Sequence, residues 1–123
     1  MRTIIAGLAL GLFSTQAVAQ TQTAAFFALR AQGERGWTAQ CTLQHINGRT
    51  LERDMRGTRE DRQVIASRSI TGGRCEYRAS SAGALELDFD DSRFECPFTS
   101  PAGTCRTRVA AGQTGSFEVR IRR

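Results

Sequence analysis

The sequence predicts an all-β domain, and three observations carry that reading. Apolar and polar residues alternate with period two in segment after segment, no stretch keeps a helical period, and all four cysteines fall on the apolar side of the alternation. The architecture expected is a small antiparallel meander barrel, with a two-sheet sandwich as the alternative, stabilised by two disulfides. Closing or stacking the sheet would hide its inner face and protect its edges.

The first residues read as a separate element. Arg2, the apolar run Ile4 to Phe13 and the small residues Ala17-Val18-Ala19 have the three-part form of a secretory signal peptide. That ten-residue run falls well short of the roughly 20 apolar residues needed to span a bilayer. Residues 1–19 are therefore expected to be a signal peptide and residues 20–123 a single β domain. No transmembrane segment would remain after cleavage, and the protein would work in the bacterial periplasm or outside the cell.

Strong alternation marks strands near 37–44, 85–90, 93–98 and 117–122, and weaker patterns mark 24–30, 50–56, 63–70, 74–79 and 105–111. Directly opposed residues in an antiparallel pair share a face, so each turn can be tested for register. A three-residue Ile46-Asn47-Gly48 loop opposes Leu43 with Leu51 and Ala39 with Met55, whereas a two-residue Asn47-Gly48 turn would mix the faces. A Gly72-Gly73 turn opposes Ile70 with Cys75, which puts Arg68 on the apolar face opposite Tyr77. A Ser81-Ala82-Gly83 loop opposes Ala79 with Leu85, and an Asp91-Ser92 turn opposes Phe89 with Phe94.

An even number of cysteines in an oxidising compartment favours disulfides over free thiols. Zinc would want a close pair such as C-x-x-C, and the nearest spacing here has eight intervening residues. Continuing the register places Cys96 opposite Cys105, which leaves Cys41 with Cys75.

Chemistry-bearing residues are few. His45 is the sole histidine and stands at a strand end, with no nucleophile or carboxylate placed beside it by spacing. Nucleophile elbows, glycine-rich phosphate loops and zinc-protease motifs are missing from the sequence. Glu86, Asp88, Asp90 and Asp91 form an acidic cluster whose spacing departs from an EF-hand loop, and the strand pattern makes them a solvated face. No metal or cofactor is expected.

The net charge of +5 is carried by arginine alone among the bases, and it gathers at the C-terminus. After Cys105 come Arg106, Arg108, Arg120, Arg122 and Arg123 against the single acid Glu118. A hairpin turning at Gly112 to Ser116 would set Arg108 opposite Arg120 and Arg106 opposite Arg122. Like charges so opposed are unfavourable unless an anion or a nearby carboxylate offsets them. Guanidinium forks suit phosphate, sulfate or carboxylate. The modest charge and the lack of interleaved aromatics argue against nucleic acid.

The expected function is that of a noncatalytic, disulfide-stabilised binding protein of the cell envelope. Arg106, Arg108, Arg120 and Arg122 would meet an anionic lipid, glycan or protein. The alternative is a proteinaceous inhibitor of a secreted hydrolase acting through the 97–104 loop, and a small hydrolase using His45 comes third. Ligand, oligomeric state and physiological role are not fixed by the sequence.

Overall fold

The computed structural model describes residues 23–58 and 62–123. The expected signal peptide and cleavage site lie outside the described residues. The described residues form seven strands: β1 (Ala25–Gly33), β2 (Thr38–His45), β3 (Thr50–Arg56), β4 (Gln63–Arg78), β5 (Leu85–Phe89), β6 (Arg106–Val109) and β7 (Thr114–Arg120). All pair antiparallel in one sheet of order β3-β2-β4-β1-β5-β6, with β7 also on β4. The chain is all-β, as its alternation predicts.

The order is not that of a meander, and β4 is the reason. Residues 63–70 of β4 pair with β1, whereas residues 70–78 pair with β2 on one side and 72–78 with β7 on the other. Gly72-Gly73 therefore does not turn the chain. A side chain on Gly73 (φ +152°) would run into the Thr42 carbonyl, so glycine here permits close approach of two strands. The sheet is not closed, since no ladder joins β3 to β6 among the described residues.

Two bulges sit where β4 changes partners. Phe27 faces Ser67 but Ala25 faces Ile70, and Gln44 faces Gly72 but His45 faces Ile70, so β4 has one extra residue in each ladder. Ser69 adopts φ 61° between them. The bulge resets the alternation: Ile65, Ser67 and Ile70 are buried while Arg68 is exposed, not facing Tyr77 from the apolar side.

Other registers divide in the same way. The Ile46-Asn47-Gly48 loop forms, with Leu43 opposite Leu51 and Ala39 opposite Met55. The expected pairings across 81–83 and 91–92 do not, because β5 lies between β1 and β6. Residues 93–98 hold only a bridge, Phe94 to Ile121, flanked by Glu95 N–H donating to Arg120 O (2.8 Å) and Arg122 N–H donating to Arg93 O (3.0 Å).

Both disulfides have the expected pairing, Cys41–Cys75 and Cys96–Cys105. The first joins directly opposed residues of β2 and β4 in the core. Trp37, Phe27, Leu29, Leu43, Ile70, Leu85 and Leu87 belong to the same buried cluster. Aromatic contacts tie the two halves of the sheet together. Phe89 of β5 lies 5.4 Å from Phe27, 5.7 Å from Phe94 and 5.8 Å from Phe117 of β7.

Candidate functional site

A charged cleft forms where β5 and β6 meet the disulfide-closed loop. Arg30 of β1 faces Asp88 of β5, which in turn faces Arg106 of β6. These residues are exposed, because in each strand the alternate positions Leu29, Leu87, Phe89 and Cys105 turn inward. One carboxylate thus lies in a cross-strand row between two arginines. Asp90, Asp91, Gly103 and Thr104 complete a cleft of about 310 Å³.

The loop wall is held by its own hydrogen bonds. Residues 97–104 are uncharged and are closed by Cys96–Cys105. Arg106 N–H donates to Ser100 Oγ (3.2 Å), Ser100 Oγ lies 2.6 Å from Thr104 Oγ1, and the Thr104 hydroxyl donates to Pro101 O (2.7 Å). Thr104 N–H also donates to Pro101 O (3.0 Å), closing a turn with Gly103 in its left-handed third position (φ +84°). Phe98 anchors the loop against Phe117, edge to face at 5.1 Å. Thr99, Pro101, Ala102 and Gly103 remain exposed.

The acidic wall is fixed as well. Asp90 Oδ1 accepts Ser92 N–H (3.1 Å), and Asp90 N–H donates to Ala28 O (3.0 Å). Asp91 Oδ2 pairs with Arg122 Nη2 (3.2 Å), which also donates to the carbonyls of Asp91 (2.8 Å) and Phe94 (3.4 Å). An Asp91 carboxylate oxygen lies within 4.8 Å of the Cys96 and Cys105 sulfurs, but these are bridged to each other and offer no thiolate.

The four arginines expected to form one patch are divided between two places. Arg106 lines the cleft, and Arg108 pairs with Glu86 (3.5 Å) opposite it on β5. Arg120 faces Gly72 across β7 and β4, and Arg122 ties down Asp91. The hairpin that would oppose Arg108 with Arg120 is not formed, because β6 pairs with β5 and β7 with β4. Pairing with Asp88 and Glu86 sets opposite charges across the ladder, where the expected hairpin would have set like ones. Arg93 and Glu95 lie beside the end of β7.

Arg30 belongs to the cleft and went unread in the sequence. The signal was its place on the polar side of the 24–30 strand, but recognising its neighbours requires the β1–β5 pairing, which no turn encodes. His45 closes the loop after β2, its Nδ1 accepting Asn47 N–H (3.1 Å).

Chemically, the cleft offers guanidinium donors on one row and carboxylate acceptors beside them, open to solvent. Such a surface can bind a carboxylate, phosphate or sulfate at Arg30 and Arg106. The fold and cleft define a disulfide-braced all-β domain with an internally hydrogen-bonded loop beside a mixed-charge surface. Compared with protein-family models, curated proteins and solved structures, the chain matches none.

Proposed function

We propose that the protein is a noncatalytic binding domain, exported to the periplasm or the cell exterior, that holds an envelope partner bearing an anionic group. The single observation that supports this most is a shared wall. Gly103 and Thr104 of the disulfide-closed loop line the same cleft as Arg30 and Arg106. A partner would therefore meet a preordered loop and two cationic side chains together, and a preordered loop lowers the entropy lost on association. The two disulfides suit an oxidising compartment. Among the described residues no helix is long and apolar enough to cross a membrane.

Of the C-terminal arginines, Arg106 is the one proposed to touch the anion. Arg122 would act by fixing Asp91, and Arg108 and Arg120 by long-range attraction. The test is cross-linking in envelope extract across a salt series, with Arg30→Gln and Arg106→Gln combined. Capture of a stoichiometric partner should fall at least about tenfold in the double variant, since charged hydrogen bonds are the stronger kind. Equal capture by both proteins sinks the cleft.

The internal hydrogen bonds of residues 97–104 favour a second reading, inhibition of a secreted hydrolase by insertion of the exposed Pro101-Ala102-Gly103 tip. Ala102→Arg should abolish such inhibition while leaving the fold intact. A protein that inhibits no secreted hydrolase from its own host removes this reading.

A further inference from the structure

The three exposed large hydrophobic side chains among the described residues are Phe26 (50%), Val64 (49%) and Ile46 (45%), of which the first two share one face of the sheet. Phe26 alternates with buried Ala25 and Phe27 on β1, and Val64 precedes buried Ile65 on β4, so both lie on the outer face. Between them Ala28 faces Ala66, and Arg30 faces Val64. Ile46 joins from the β2–β3 loop, where its N–H donates to Ser69 O (2.9 Å), one residue beyond exposed Arg68. The result is an apolar strip, Val64, Ala66, Ala28 and Phe26, with Arg30 at one end and Arg68 at the other.

Charge sets this strip apart from the mixed-charge surface around residues 70–78. Neither β1 nor residues 63–70 of β4 contains an acidic residue. Among the described residues, carboxylates border the strip on its β5 side, where Asp88 stands directly opposite Arg30 and Asp90 N–H donates to Ala28 O. Contiguous apolar surface rimmed by one sign of charge marks an interaction site. A second copy of this chain would add arginine to arginine along the strip, where neither β1 nor residues 63–70 of β4 supplies a carboxylate.

We propose that the Phe26–Val64 face docks on the surface of an anionic lipid bilayer. Arg30 and Arg68 meet lipid phosphates while Phe26, Val64 and Ile46 enter the headgroup boundary. This deepens the envelope reading and rests on it for the membrane encountered; it shares Arg30 with the cleft but uses neither Arg106 nor the 97–104 loop.

The test is co-sedimentation of the processed, exported protein with vesicles of phosphatidylglycerol and phosphatidylcholine, set against phosphatidylcholine alone. Binding should require phosphatidylglycerol and weaken with salt. Arg30→Gln with Arg68→Gln should reduce partitioning about 25-fold, each arginine near a charged surface being worth about fivefold. Phe26→Ser with Val64→Ser should reduce it at least about tenfold through lost apolar burial. Thr104→Val alters the cleft without changing charge and should leave vesicle binding intact, so failure of the cleft and failure of this face are separable. Equal binding to both vesicle types, or unchanged binding by the Phe26 and Val64 variant, overturns the proposal. So does a dimer that Phe26→Ser dissociates in a protein that ignores vesicles, which would assign the face to a second copy.

Discussion

The two halves of β4 share one core but carry different outer surfaces. Around residues 70–78, charges of both signs alternate across neighbouring strands. Arg74 pairs with Glu118 (2.9 Å) and Glu76 (3.5 Å) and donates to Ser116 Oγ (3.0 Å). The Glu118 hydrogen bond, foremost among these contacts, raises the Arg74 pKa further above its already high ordinary value. Edge strand β3 adds Arg53, which faces Cys41 in the ladder yet remains exposed, a charge that discourages pairing by a passing strand. Around residues 63–70 the outer positions of β4 and of the facing β1 carry apolar and basic residues and no acid, the first carboxylate being Asp88 on β5. One half is protected against association, whereas the other is suited to it.

The disulfides follow the same division, which gives the largest tests. Cys41–Cys75 spans 34 residues inside the core of the protected half, and its replacement by two alanines should cost about 4 kcal/mol in urea unfolding. A cost below about 1 kcal/mol would show that this half owes its order to packing alone. Gly73→Ala tests the same junction without touching sulfur. It forces a side chain against the Thr42 carbonyl at positive φ and should cost about 3 kcal/mol. If it is neutral, β2 can move away from β4 freely.

Cys96–Cys105 closes a span of only 9 residues at the rim, so its removal should cost less, about 2.5 kcal/mol. Its main effect should be local. Amide exchange at Thr104 and Arg106 should accelerate while the β2 and β4 amides stay protected, reporting a loop that opens independently of the core. Global acceleration would make the rim part of the core and end the distinction.

How much of this was legible follows from where the information resides. Alternation is local, so the strands at 50–56 and 85–89, the buried face and the cysteine sides could be read directly. The Cys pairing and the 46–48 loop were also legible, because each rests on matching two short faces. Partner choice between distant strands was not. Gly72-Gly73 has the composition of a turn, and only the approach of Thr42 shows that it continues a strand. The bulge at Ser69 escaped for a related reason: one extra residue inverts the phase and moves Arg68 from the expected inside to the outside. The cleft needed the β1–β5–β6 order, so of its cationic pair only Arg106 was foreseen.

The smallest expected effect separates two arginines that look alike in sequence. Arg122 donates to two backbone carbonyls as well as to Asp91, which ties the end of the chain to residues 91–94. Arg74 bonds only to side chains, all on an exposed face. Carbonyl contacts are fixed by the fold and are poorly mimicked by salt, whereas exposed ion pairs are screened and pay side-chain entropy. Arg122→Gln should therefore cost about 1 kcal/mol with little change between low and high salt. Arg74→Gln should be milder, and what loss it shows should vanish at high salt. Urea titrations of both variants at two ionic strengths decide the point. Equal salt sensitivity would mean that Arg122 acts through the charge of Asp91, leaving the tether between the C-terminus and the cleft wall as weak as a surface ion pair.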